Sequence, residues 1–200
     1  MVRPLKRDDL LKDTRGVPLG SGIMGVGTGK LTEDDLAILR TVFNLPPSNI
    51  LQHVIEGDVA TLPYQGIWQG LVYDDPTLLH WFSDDMVASF FLFCLPPEWA
   101  PVFALEREAP GWAVGSSEPS VPIGLTIVPP GWLSANGVIQ YLHRRLVAKA
   151  SVLPPSLELR KDRPRPTDED FLSTSFFSVY VDNLDGGKAE RRGRSEPVET

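Results

Sequence analysis

Two aspartates stand where chemistry is easiest to build. Asp85 closes the run His80-Trp81-Phe82-Ser83-Asp84-Asp85, and Asp182 closes Phe176-Phe177-Ser178-Val179-Tyr180-Val181-Asp182. Each ends an apolar, strand-like stretch, so the two carboxylates converge if those strands are neighbours in one sheet. Converging carboxylates hold Mg²⁺ through oxygen and leave positions for water and substrate phosphates. Two such ions drive in-line phosphoryl transfer. The plain alternative is that each is a turn residue, the commoner use of Asp at a strand end. Asp84 precedes Asp85 directly, so on a strand it points to the opposite face and reads as a solvent or capping residue.

Other chemistries lack an anchor. Gly20-Ser21-Gly22-Ile23-Met24-Gly25 fits GxGxxG, but no clear strand precedes it and no helix opens at its end, so a dinucleotide site is not expected. A Walker A loop fails on Met24 and on Leu31 after Lys30. His53, His80 and His143 form no metal spacing with Cys94, and no GxSxG elbow supports a Ser/His/Asp hydrolase. Cys94 is the only cysteine. It cannot form an internal disulfide, and within the apolar run Phe-Phe-Leu-Phe-Cys-Leu it reads as a small buried residue. A reducing compartment, cytosol or nucleus, is the expectation. No apolar run reaches membrane-spanning length, and the first residues carry no apolar signal core, so no membrane partner is expected.

The elements that must position these side chains are short. Nineteen prolines, several in pairs, cut the chain into brief segments, which favours mixed α and β structure over a helical bundle. Residues 1–19 read as a loose leader and 20–30 as a Gly-rich loop or hairpin tip. Thr32-Glu33-Asp34-Asp35 resembles a capping box, with a short helix expected over Leu36, Ile38 and Leu39. Residues 66–73, 79–83, 101–106 and 121–128 read as strands, with a polar loop over 107–120. Ala135, Val138, Ile139, Leu142 and Leu146 share a face at helical spacing, predicting a helix over 134–149 with Ser134 as its N-cap. Residues 151–170 read as a Pro-rich charged linker, 175–182 as a strong strand, and 186–200 as a disordered polar tail.

A net charge of −7 argues against a simple nucleic-acid binder, which is usually basic. Basic residues nevertheless cluster at His143-Arg144-Arg145, between Arg160 and Arg165, and from Lys188 to Arg194. From charge alone these are either a track for phosphates or an ordinary mixed-charge surface.

At this point the residues match a family. Asp85-Met86-Val87-Ala88-Ser89-Phe90-Phe91 resembles the first palm motif of reverse transcriptases, with a small residue four after the Asp and two aromatics next. Val128-Pro129-Pro130-Gly131-Trp132, with Gln140 nine residues after the glycine, resembles their LPQGF…Q segment. Tyr180-Val181-Asp182-Asn183 resembles their YxDD hairpin, and the segment from Arg40 to Asn49 is similar to the fingers strand of the retrotransposon branch. The similarity runs from about residue 30 to 185.

The resemblance implies an α+β fold, an incomplete right-hand polymerase of fingers and palm over residues 20–185, with an antiparallel palm sheet packed on helices. It implies an RNA-directed DNA polymerase acting by template-directed nucleotidyl transfer to a DNA 3′ end, with Mg²⁺ or Mn²⁺, an RNA template, a DNA primer and deoxynucleoside triphosphates. Asp85 and Asp182 would ligate the metals, with Asn183 at the third catalytic position. Arg40 would face the triphosphate, where guanidinium suits phosphate geometry. Phe90 would be the steric gate, and Gly131, Trp132 and Gln140 would support the nucleotide and template. The departures are Asn183 in place of a second hairpin carboxylate, Pro130 in place of a Gln, and Pro46-Pro47 where a basic residue is common. About 15 residues follow the hairpin, which leaves no room for a thumb, so a truncated and weakly active or inactive enzyme is expected. The alternative is an inactive retroelement remnant, or a domesticated module that binds nucleic acid or protein.

Overall fold

The computed structural model describes residues 1–64, 66–69, 77–150, 153–166 and 175–191. In chain order its main elements are β1 (Val2–Pro4), β2 (Gly22–Leu31), β3 (Ala37–Asn44), α1 (Pro46–Ile50), α2 (Gly66–Gln69), β4 (Thr77–Asp85), α3 (Ser89–Leu92), β5 (Ala109–Pro110), β6 (Ser120–Val121), β7 (Ile123–Leu125), α4 (Ala135–Ala150), β8 (Ser175–Tyr180) and β9 (Asn183–Arg191). The fold is mixed α and β, its sheets are antiparallel, and none closes into a barrel. No described helix is long and apolar enough to cross a membrane. The chain divides into two compact units, Met1–Ile55 with Ala88–Ala135, and Glu56–Val87 with Asn136–Thr200.

The first unit contains the β2–β3 ribbon. Gly22 pairs with Asn44 and Gly27 with Leu39, and the register breaks before Leu31 meets Ala37. The helix expected after Thr32 is therefore a strand. Thr32 Oγ1 accepts a hydrogen bond from Leu36 N–H at 3.1 Å, and Asp35 takes a left-handed conformation with φ 59°. The side chain that would cap a helix closes a turn instead. Residues 1–19 are tied in rather than loose. Val2, Arg3 and Pro4 pair with Leu125, Gly124 and Ile123, and Leu5 N–H donates to the Pro122 carbonyl at 2.9 Å. Of the stretch expected as a strand over 101–106, 101–103 end the 3₁₀ segment Pro97–Phe103, where two prolines withhold ladder donors, and Ala104 and Leu105 form isolated bridges to Gly124 and Ser21. Phe103 and Trp132 anchor this unit's interior edge to face, with ring centroids 5.5 Å apart. Cys94, expected inside, is exposed. Its backbone bridges Ile127 while the neighbouring Leu95 turns inward, as strand alternation requires.

The second unit is a three-stranded sheet, ordered β4-β9-β8, with α4 against it. Phe177 and Val179 of β8 pack with Val147 of α4. Phe176 packs with Ile67, Leu157 and Leu159. The supposed linker therefore contributes core: Leu159 is wholly buried, and Glu158 bridges Phe177. Of the strand expected over 66–73, Gly66–Gln69 form a helical turn, and 70–73 lie outside the described residues. Of the tail expected to be disordered, Gly186 to Arg191 lie in β9, the central strand, and 192–200 lie outside the described residues.

α4 enters the unit over a close backbone crossing. Gly137 faces Glu56 and Gly57, and its carbonyl accepts from Asp58 N–H at 3.1 Å. A Cβ on Gly137 would overlap the Glu56 carbonyl. Helix propensity alone favours alanine there by about 1 kcal/mol, whereas overpacking costs about 1–3 kcal/mol. Gly137→Ala is expected to lower the urea midpoint at constant m-value. A rise would mean that the crossing is looser than the geometry implies.

Candidate functional site

β4 and β9 run antiparallel in register from Thr77 opposite Arg191 to Asp85 opposite Asn183. β8 and β9 are joined by the two residues Val181 and Asp182, and Tyr180 pairs with Asn183 across the turn. The strand that ends at Asp85 and the strand that leads to Asp182 are not neighbours, since β9 lies between them. Asp85 at the end of β4 and Asp182 in the hairpin turn line one cleft of about 80 Å³ with Asp84, Met86, His143 and Leu184. The Asp182 carbonyl accepts from Met86 N–H at 2.9 Å, tying the hairpin to the end of β4.

The side chains have distinct duties. Asp84 accepts from Asp85 N–H at 3.0 Å, so it caps the strand end, although it also borders the cleft. Asn183 donates from Nδ2 to Asp182 Oδ1 at 3.2 Å. Asp185 lies on β9 and accepts from Ser83 Oγ at 2.6 Å.

The size and donor set decide what the cleft can hold. Water occupies about 30 Å³ per molecule, so the cleft is on the scale of a cation with a few waters. Among the described residues no three His, Cys, Asp or Glu side chains form a ready cage for a metal. Two carboxylates facing open space suit a hard cation that keeps water and takes further oxygen from a substrate, which is the habit of Mg²⁺. The pair Asp85 and Asp182 fits that mode and does not fit a closed structural metal site.

The other residues singled out from sequence are placed as follows. Gln140 is wholly buried on α4, and its amide serves the hairpin: Nε2 donates to the Val179 carbonyl at 2.8 Å and to Thr61 Oγ1 at 3.2 Å, and Oε1 accepts from Val181 N–H at 2.7 Å. Arg40, Phe90, Gly131 and Trp132 belong to the other unit. Arg40 is exposed on β3. Phe90 is half-buried in α3. Gly131 has φ 95°, open only to glycine without strain, and its carbonyl accepts from Asn49 Nδ2 at 3.0 Å. Trp132 is buried between Trp99 and Phe103, and among the described residues its indole N–H finds no hydrogen-bond partner.

Three cations of the basic clusters, Arg144, Arg160 and Arg163, are engaged inside the second unit. Arg144 forks onto Glu158, with Nε to Oε1 at 2.6 Å and Nη2 to Oε2 at 2.8 Å, and Nη1 reaches Asp58. The Glu158 hydrogen bonds foremost, opposed by burial and then aided by both carboxylate charges, raise the Arg144 pKa above its ordinary value. Arg163 donates to the Glu158 carbonyl at 3.2 Å, and Arg160 pairs with Asp162. These cations brace the fold rather than lie open as a phosphate track.

Sequence reasoning missed His143, which it filed with the basic cluster. Its Nδ1 lies 2.9 Å from the Val181 carbonyl, and the ring borders the cleft. The available signal was spacing: Gln140 and His143 are three apart on one helix and so share a face. Compared with known proteins, the chain matches no family model and no curated protein.

Proposed function

We propose that this chain carries the fingers and palm of a reverse-transcriptase-like polymerase, performing template-directed nucleotidyl transfer to a DNA 3′ end. The single observation that carries the reading is the meeting of Asp85 and Asp182 in one cleft, each delivered by the end of a strand of the same antiparallel sheet. The order β4-β9-β8 sets the strand bearing Asp85 beside the second strand of the hairpin, as a palm requires. Asp85 and Asp182 would hold Mg²⁺ or Mn²⁺, which when bound would neutralise phosphate charge and assist in-line displacement. Asp84 and the Met86 N–H hold the two acidic segments in place.

A second reading, an inactive module that binds nucleic acid or protein, draws on Asn183. It brings no charge to the cleft, and its amide occupies an oxygen of Asp182.

Primer extension on an RNA template, with Mg²⁺ or Mn²⁺, separates the two. Asn183→Asp tests the lesion directly. A unit charge at about 4 Å is worth roughly 4 kcal/mol at an effective dielectric of 20, and a third of that is about tenfold in rate. Asn183→Asp is expected to raise extension in Mg²⁺ at least about tenfold. It also places a carboxylate directly opposite Asp85, so without metal it should destabilise the chain by about 0.2–1 kcal/mol. No extension by either protein, both being folded, sinks the polymerase reading and leaves the binding module.

A further inference from the structure

Val181 is the anomaly of the hairpin. It sits at φ 53°, while Asp182 after it is not left-handed, which is the pattern of a type II′ turn whose first central position belongs to glycine. A β-branched residue there is strained by about 1–3 kcal/mol, and such strain persists only where the surroundings over-determine it. Here they do. Val181 N–H donates to Gln140 Oε1 at 2.7 Å, and the Val179 carbonyl accepts from Gln140 Nε2 at 2.8 Å. The Val181 carbonyl meets His143 Nδ1 at 2.9 Å, and the Asp182 carbonyl accepts from Met86 N–H.

Both side chains are locked. Gln140 is wholly buried and His143 is 5% exposed. A carbonyl oxygen only accepts, so His143 Nδ1 carries a proton, and the amide of Gln140 can face only one way with these partners. The two residues lie one helical turn apart on α4, and they grip both peptide groups of Val181. The peptide that follows Val181 sets the direction of the Asp182 side chain.

Resting on the reading of this cleft as a polymerase centre, we infer that Gln140 and His143 are positioning residues: they hold Val181 left-handed and thereby aim the Asp182 carboxylate into the cleft beside Asp85. Neither need touch substrate. Without them Val181 relaxes to negative φ, the peptide plane between 180 and 181 turns over, and the rearranged turn no longer holds Asp182 in its place. Misplacement of a reacting group by about 1 Å costs up to about a hundredfold in rate.

Two measurements on the full chain test this. The first is the one-bond Cα–Hα coupling of Val181, which reports the sign of φ, in the wild type, Gln140→Leu and His143→Leu. Positive φ in the wild type and negative φ in Gln140→Leu is the expected result. A negative φ in the wild type, or a left-handed Val181 in both variants, overturns the proposal whatever the chain catalyses. If Gln140→Leu fails to fold, His143→Leu gives up a single hydrogen bond and carries the same comparison. The second is primer extension. Gln140→Leu is expected to lose about ten- to a hundredfold in kcat with KM for the nucleotide unchanged. Adding Val181→Gly should restore most of it, because glycine holds positive φ unaided. General loss of stability would not be reversed by a further glycine. Wild-type kcat in Gln140→Leu beside an inactive Asp182→Ala overturns the positioning and leaves the polymerase reading standing. No extension by the wild type or Asn183→Asp, with Val181 released in Gln140→Leu, sinks that reading and upholds the grip on the turn.

Discussion

Arg144→Ala is expected to lower the unfolding free energy by about 3–5 kcal/mol, the cost of breaking a buried ion network by removing one partner. Arg144 is the hub. Its side chain is 18% exposed, that of Glu158 6% and that of Asp58 24%. With the guanidinium gone, the Glu158 carboxylate keeps, among the described residues, only Arg160 at 3.9 Å, too far for a hydrogen bond. Two acids are then left without their shared cation, Glu158 in a position nearly closed to water. Arg144→Lys keeps the charge but loses the fork, so it should recover part of the loss. Urea unfolding at constant m-value checks both. Because the pairs are mostly shielded, added salt should narrow the difference only slightly. A loss under about 1 kcal/mol for Arg144→Ala would place the trio among surface pairs, which contribute that little.

Asp182→Ala is expected to remove at least about a hundredfold of any Mg²⁺-dependent extension, since loss of groups that merely support a metal ligand already costs ten- to a hundredfold. It should leave the fold intact. The Asp182 side chain is half-buried, and its one hydrogen bond is from the neighbouring Asn183, whereas the turn is held through backbone groups. Activity and the unfolding midpoint should therefore separate in this variant and move together in Gly137→Ala. Full activity in a folded Asp182→Ala chain would remove the cleft from the chemistry.

These carboxylates were the most legible part of the chain. β4 and β8 carry dense aromatic and β-branched runs, and α4 carries a clean helical stripe, so Asp85, Asp182 and the helix behind them could be read from spacing. β9 could not. Asn183–Arg191 is polar and twice glycine, yet it is the central strand. Its apolar cover comes from its neighbours: the Phe82 ring lies over Gly186 and the Phe176 ring over Gly187. A strand whose hydrophobic surface is supplied by the residues beside it shows no period of its own. β3 was hidden differently. Thr32 to Asp35 satisfies the composition of a helix start, but the same hydroxyl that caps a helix also closes a tight turn, and only the pairing of Ala37–Asn44 with Gly22–Leu31 decides between them. The roles of Gln140 and His143 depend on which backbone groups the helix meets, and no local pattern encodes that. The resemblance to reverse transcriptases drew attention to Gln140, and geometry gave it a different partner, the hairpin backbone.

Among the described residues the β2–β3 ribbon has two strands and hence two unpaired outer edges, with Met24 at 50%, Val26 at 46% and Leu39 at 62% exposure. Open edges of this kind invite another chain to add a strand. Its strands offer little deterrent of their own, since Lys30 and Arg40 are the only charged residues in them. The deterrent is supplied by the whole molecule, whose net −7 makes copies repel at a distance. Such repulsion reaches about 8 Å at physiological ionic strength and about 3 Å in 1 M salt. In colloidal terms the chain is stabilised by charge, and its solubility is a property of the buffer as much as of the fold.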